Sequence, residues 1–254
     1  MAITSENLVF YASANMPESD STTSGGAIDV DTRIIFTDIS AADTVEVVSA
    51  NAGDTTQTVT ITGRRADGVI VSDALSLNGT TVVTSTETFE RILKVVMDSD
   101  AAGIVTVRKQ SDDVTIGNIP IGERGFRRPF YDATAYATGG GAKVLYEKIH
   151  LANIHSTLAL LNAAIEATSD PSSLLAFRLE DALNDTNSAT NRLTAPTGLD
   201  ANSWDDSSKS VPGGYLGASG SGEDTIGIWI QLSLSESQAP GESSYTLTVT
   251  GSST

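Results

Sequence analysis

Residues 58–96, TVTITGRRADGVIVSDALSLNGTTVVTSTETFERILKVV, constrain the fold more tightly than any other part of the chain. Val59 and Ile61 alternate with threonines, a polar turn follows at residues 64–68, and a second alternating run covers residues 69–77. Asn78-Gly79 then marks a turn, and a third strand is expected over residues 89–96. Period-two alternation between Gly/Asn/Asp turns predicts an antiparallel sheet with one face buried. The outward positions carry Thr, Ser, Asp, Glu and Arg, and no arrangement in this stretch resembles a reaction centre.

The same signature recurs elsewhere. Short strands are expected over residues 27–36 (a pair interrupted at Asp31), 45–49 and 103–107. In the second half they are expected over residues 144–153, 174–179, 225–234 and 245–249. Residues 144–153 (VLYEKIHLAN) carry apolar residues on both alternating sets, as a strand covered on two faces does. Ile226, Ile228, Ile230 and Leu232 share one face of their strand. Residues 157–167 (TLALLNAAIEA) have helical propensity, but their strand-rich surroundings favour a strand. The class expected is all-β, with two β-sandwich-like domains of Ig-like or jelly-roll-like type, an N-terminal arm and long loops.

The domain division follows composition. Residues 1–27 are expected to be an arm, because the apolar piece Leu8, Val9, Phe10 and Tyr11 runs into the polar MPESDSTTSGG. A first sandwich spans residues 28–111. Residues 112–129 form a linker containing GNIPIGERGFRRPF, in which proline denies ladder donors and glycine resists ordering. A second sandwich spans residues 130–254 and carries a long polar loop at 184–222, a length often tied to function.

Charge and composition exclude several functions. The formal net charge of -17 opposes nucleic-acid binding, which needs a basic footprint, and attraction to anionic membranes. Cysteine is absent, which removes disulfides, thiolate catalysis and Cys-ligated metals and favours assembly in a reducing cytoplasm. The N-terminus lacks the pattern of a signal peptide, and no apolar run is long enough to span a bilayer. The two histidines, His150 and His155, have a spacing unsuited to a zinc pair. The acid pairs Asp29/Asp31, Asp98/Asp100, Asp112/Asp113 and Asp205/Asp206 match no calcium loop and read as acidic turns. Ser219 lies in a flexible G-A-S-G-S-G run without the strand and helix of a nucleophile elbow. No catalytic residue, cofactor or metal is expected.

Gly63, Gly68, Leu75, Leu77, Asn78, Gly79, Thr80, Phe89 and Ile92 carry a resemblance. They fit a hairpin of the form T-G-x-D-x-x-G-x-x-x-x-E-x-L-x-L-N-G-T before an x-x-F-x-x-I strand, which is similar to a pattern in tailed-bacteriophage virion proteins. YEKIHLANIHSTLALLNAAI and GIWIQLSLSESQAPGESSYTLTV also resemble such proteins, so the likeness covers about two-thirds of the chain. It implies a non-enzymatic structural component of a virion, made in the host cytoplasm. The leading expectation is a capsid decoration (cement) protein that oligomerises and contacts the major capsid protein or other virion proteins. A tail, neck, baseplate or fibre component is the alternative, and a carbohydrate- or cell-surface-binding module is the other. The residues expected to touch a partner are Leu8, Val9, Phe10 and Tyr11 of the arm and Arg124, Arg127 and Arg128 of the linker. Trp204 and Tyr215 of the long loop complete the set.

Overall fold

A computed structural model describes residues 2–34, 37–241 and 244–253. The first strands are β1 (Leu8–Asn15), β2 (Ser24–Arg33), β3 (Val45–Ser49), β4 (Thr58–Arg64), β5 (Ile70–Ser76) and β6 (Val83–Thr84). There follow β7 (Arg91–Met97), β8 (Val105–Lys109), β9 (Thr115–Ile119), β10 (Gly125–Arg127), β11 (Lys143–Asn153) and β12 (Leu160–Ser169). The last are β13 (Leu175–Leu183), β14 (Ser188–Ala189), β15 (Lys209–Ser210), β16 (Tyr215–Leu216), β17 (Thr225–Leu234) and β18 (Thr246–Ser253). Among the described residues there is no α-helix, only two short 3-10 turns at Ser5–Asn7 and Pro212–Gly214. The fold is all-β and β-sandwich-like. Of the strand pair expected over 27–36, Ile35 and Phe36 lie outside the described residues.

The chain divides into two compact units, residues 30–129 and residues 1–29 with 130–254. In the unit of residues 30–129, β10, β7, β4 and β5 form one sheet and β6, β3, β8 and β9 another. The β4–β5 hairpin pairs Val59 with Leu75 and Thr62 with Ser72, and β4 also pairs with β7. The alternation of residues 58–96 therefore acts as read. Val59, Ile61, Leu75, Phe89, Ile92 and Val95 turn inward to one core with Val45, Val47, Val105, Val107 and Phe126.

The stretch expected to be a linker belongs to this unit and contains β9 and β10. Ile116, Ile119 and Phe126 are buried there, so three apolar anchors outweigh the turn-forming composition. Both prolines, Pro120 and Pro129, fall just outside the strands, where no ladder donor is needed.

In the other unit, β13, β17, β11 and β1 lie side by side in one sheet. β11 pairs with β17 from Lys143 to Ala152 and with β1 on its other side. A second sheet is built on β12, which pairs with β15, β16 and β18. Residues 160–169 are thus a strand, as their surroundings required. Leu8–Asn15, expected to belong to an arm, form instead the ladder strand β1, with Val9, Phe10, Tyr11 and Ala12 buried. Four consecutive buried side chains need cover on both faces, and β11 supplies the backbone partners.

The polar residues 184–222 are held in place as well. β14 pairs with β2 through Ser188 and Gly25, and single bridges join Phe177 to Asp205 and Glu180 to Leu199. Two buried cations from the run, Arg192 and Lys209, anchor it. Arg192 binds Glu18, Asp20 and the carbonyl of Asp132 at 2.6, 2.6 and 3.0 Å. This fastens the polar part of residues 1–27 too.

Candidate functional site

A buried cluster of ionisable groups lies inside the unit built on β11. Alternation along β11 places Tyr146, Lys148 and His150 on one side of the strand. The antiparallel register sets Lys148 opposite Trp229 and His150 opposite Gly227 on β17, and His150 opposite Tyr11 on β1. β13 pairs Arg178 with Trp229, and its register then slips between Leu179 and Leu183. Glu180 sits in that slip, and Asp185 follows just beyond the strand.

Lys148 and Glu180 are fully buried, and Asp185 is nearly so, at 3% side-chain exposure. The Lys148 ammonium meets Asp185 Oδ1 and lies 3.2 Å from Glu180 Oε1. It also donates to the carbonyls of Gly26 at 3.1 Å and Asn187 at 3.0 Å. Glu180 accepts from Trp229 Nε1 at 2.7 Å and from Asn187 Nδ2 at 2.8 Å. Burial is the main cause that raises the Glu180 carboxyl above its ordinary range, with the nearby Asp185 charge adding to it.

His150 completes the cluster. Its Nε2 is 3.3 Å from the Gly26 carbonyl, which requires the proton on that nitrogen. Nδ1 is then a buried acceptor with no hydrogen-bond partner, as are Asp185 Oδ2 and the Ser24 hydroxyl oxygen. Burial, helped by the Lys148 charge, lowers the His150 pKa to about 4, so the ring is neutral at physiological pH. Lys148, Glu180 and His150 are each fully covered. The cluster can move protons and form bonds among its own members, but as folded it presents no open surface to a substrate.

The residues expected to touch a partner are dispersed by the fold. Val9, Phe10 and Tyr11 are buried and Leu8 is half-buried in β1. Phe10 and Tyr11 therefore pack within the chain, a correction that follows from their place in the ladder with β11. Arg128 is 18% exposed, pairs with Asp38 at 2.7 Å and donates to the Ile92 carbonyl. Arg127 is half-buried in β10 opposite Lys94. Arg124 stays exposed, 2.8 Å from Asp100. Trp204 is half-buried, tilted against Tyr146 with ring centroids 5.3 Å apart and with the Arg178 guanidinium over its ring. Tyr215 is half-buried in β16, where hydrogen bonding to Glu223 raises its phenol pKa.

The histidines also separate. His155 lies in the turn after β11, its Nδ1 accepting from the amides of Thr157 and Leu158. Among the described residues no group of three or more His, Asp or Glu side chains is placed to hold a metal ion. None of their helices is long and apolar enough to cross a membrane.

Reading the sequence alone missed Lys148, Glu180, Asp185 and the Arg192 cluster. One signal was present: Lys148 and His150 interrupt a strand that is otherwise apolar on both faces, and a buried charge in such a place needs a partner. Comparisons with family models, with curated proteins and with solved structures give no match for this chain.

Proposed function

We propose that the chain is a non-enzymatic structural component of a bacteriophage virion, and specifically a capsid decoration protein that binds the major capsid protein in many copies. The observation that carries this reading is where the virion-like phrase falls. Leu75, Leu77, Phe89 and Ile92 are packed together in one core, and Gly63 lies against the Phe89 ring. Four of the nine residues that carry the resemblance thus belong to one packed core, while Gly68, Asn78, Gly79 and Thr80 lie in its turns.

Charge gives secondary support. The buried cations Lys109, Lys143, Lys148, Arg192 and Lys209 are each engaged by acids of the same chain. The chain nonetheless carries 32 acids against 15 basic residues, so its outer surface is dominated by negative charge. Such a surface suits a basic partner lattice, where repetition lets each contact be weak.

The test adds purified protein to particles assembled without it. Saturable binding at a fixed ratio to the major capsid protein, with raised resistance of the shell to heat, is the expected result. Failure to bind shells while binding tails or necks would move the protein to those parts. Binding to glycans or host cells by isolated protein, with none to particles, would overturn the reading.

A further inference from the structure

We propose that Lys148 and Asp185 condense into an intramolecular isopeptide bond, with Glu180 carrying the proton from the attacking nitrogen to the leaving oxygen. The proposal rests on the buried cluster alone and is independent of the virion reading.

Three features separate this site from an ordinary ion pair. First, the nucleophile and the acid are already in contact and shut away from water. The other buried lysines differ: Lys109 pairs with Asp112, 45% exposed, Lys209 with Asp205, 44% exposed, and Lys143 with Asp20, 36% exposed. Second, the two oxygens of Asp185 are unequal. Oδ1 accepts from the Asn187 amide at 3.1 Å, whereas Oδ2 has no partner. Oδ1 is therefore held as a carbonyl oxygen would be, and Oδ2 is the oxygen available to leave. Third, a second carboxyl stands beside the nucleophile. Glu180 Oε1 is 3.2 Å from the Lys148 nitrogen, and the carboxyl is fixed by Trp229 and Asn187.

The chemistry closes without an added reagent. The reaction opens with transfer of a proton from the Lys148 ammonium to the Asp185 carboxylate, where it rests on Oδ2 and leaves an amine facing a carboxylic acid. The amine nitrogen bonds to Asp185 Cγ, and Glu180 takes one of its two protons. The bond from Cγ to Oδ2 breaks as Glu180 returns that proton to the leaving hydroxyl, which departs as water. The remaining nitrogen proton stays as the amide N–H, within reach of the Gly26 or Asn187 carbonyl. Nothing is oxidised or reduced. Proximity and exclusion of water are the driving factors such a reaction requires.

Gly227 leaves the space for it. A Cβ there would come closer than 3.0 Å to Asp185 Oδ2, Glu180 Cγ and Lys148 Cε at once. At position 227 the strand has no room for a side chain beside the reacting groups.

The test is the intact mass of the denatured full-length protein, wild type beside Lys148→Arg and Glu180→Gln. The wild type should be lighter than its sequence requires by one water, while Lys148→Arg should have its full sequence mass. Glu180→Gln should accumulate the unlinked form. Digestion of the wild type should release one branched peptide joining residues 148 and 185. A wild type at full mass would overturn the proposal, and folding of the variants has no bearing on that result. A lost water that maps to a cyclised aspartate, such as Asp67 before Gly68, would overturn it equally.

Discussion

Asp54 illustrates how a single acid in this chain can work as a structural part. It is buried at 2% exposure, and its carboxylate accepts from the Ser49 hydroxyl and from the amides of Ala102 and Gly103. The Ser49 bond leads the causes that hold its pKa below the ordinary aspartate value. Asp54→Ala strands three donors, each worth about 1–3 kcal/mol when buried without a partner. A large drop in the urea midpoint is expected, and an unchanged midpoint would contradict this role. His150 makes the matching prediction for pH. Its pKa is about 4 folded, against an ordinary value of 6.5. The unfolded chain therefore binds more protons between those values, and stability falls as pH drops through that window, by about 3 kcal/mol in full. The Lys148 charge lowers the value and Asp185 opposes it, while burial is the larger cause. His150→Gln keeps a donor for Gly26 and should flatten the dependence of the urea midpoint on pH between 6.5 and 4. Equal slopes in the two proteins would rule His150 out as the source.

At the scale of elements, the strands that could be read from sequence were those with their own alternation and their own turns. β3 lies at residues 45–49 as expected, and β4, β5, β11 and β17 fall within a residue or two of their expected places. β1, β9 and β10 were hidden. The apolar residues of β1 adjoin a polar run, and β9 and β10 lie among glycines and prolines. What orders them is their partners: β11 for β1, β8 for β9 and β7 for β10. The Lys148 cluster was hidden for the same reason, since the proximity of Glu180 and Asp185 depends on the register of three strands and a slip in one of them. Two substitutions test this packing. Phe10→Ala removes a large side chain from the interior of β1 and should cost about 3–5 kcal/mol. An effect below 1 kcal/mol by chemical denaturation, the range of a surface change, would show that β1 is the loose arm its sequence suggests. Gly63→Ala places a methyl group against the Phe89 ring and within 2.6 Å of the Arg91 carbonyl. It should lower the melting temperature through the β4–β7 pairing, and an unaffected melting curve would show that this approach is not tight.

At the scale of the whole molecule, the excess of acids makes association with a partner a matter of salt and of the few exposed cations. Replacing Arg124, Arg127 and Arg128 together would confuse folding with binding, because Arg128 is tied to Asp38 and the Ile92 carbonyl. Arg124→Ser is the cleaner variant. It should fold with an unchanged melting temperature and bind particles less well where Arg124 meets an acidic group within the otherwise basic partner lattice. Undiminished binding would remove Arg124 from the interface. The virion assignment itself is tested most directly by the number of copies of this chain per purified particle, measured by quantitative mass spectrometry against the major capsid protein. Hundreds of copies in a fixed ratio to that protein are expected of a decoration protein. Absence of the chain from the particles would contradict the assignment.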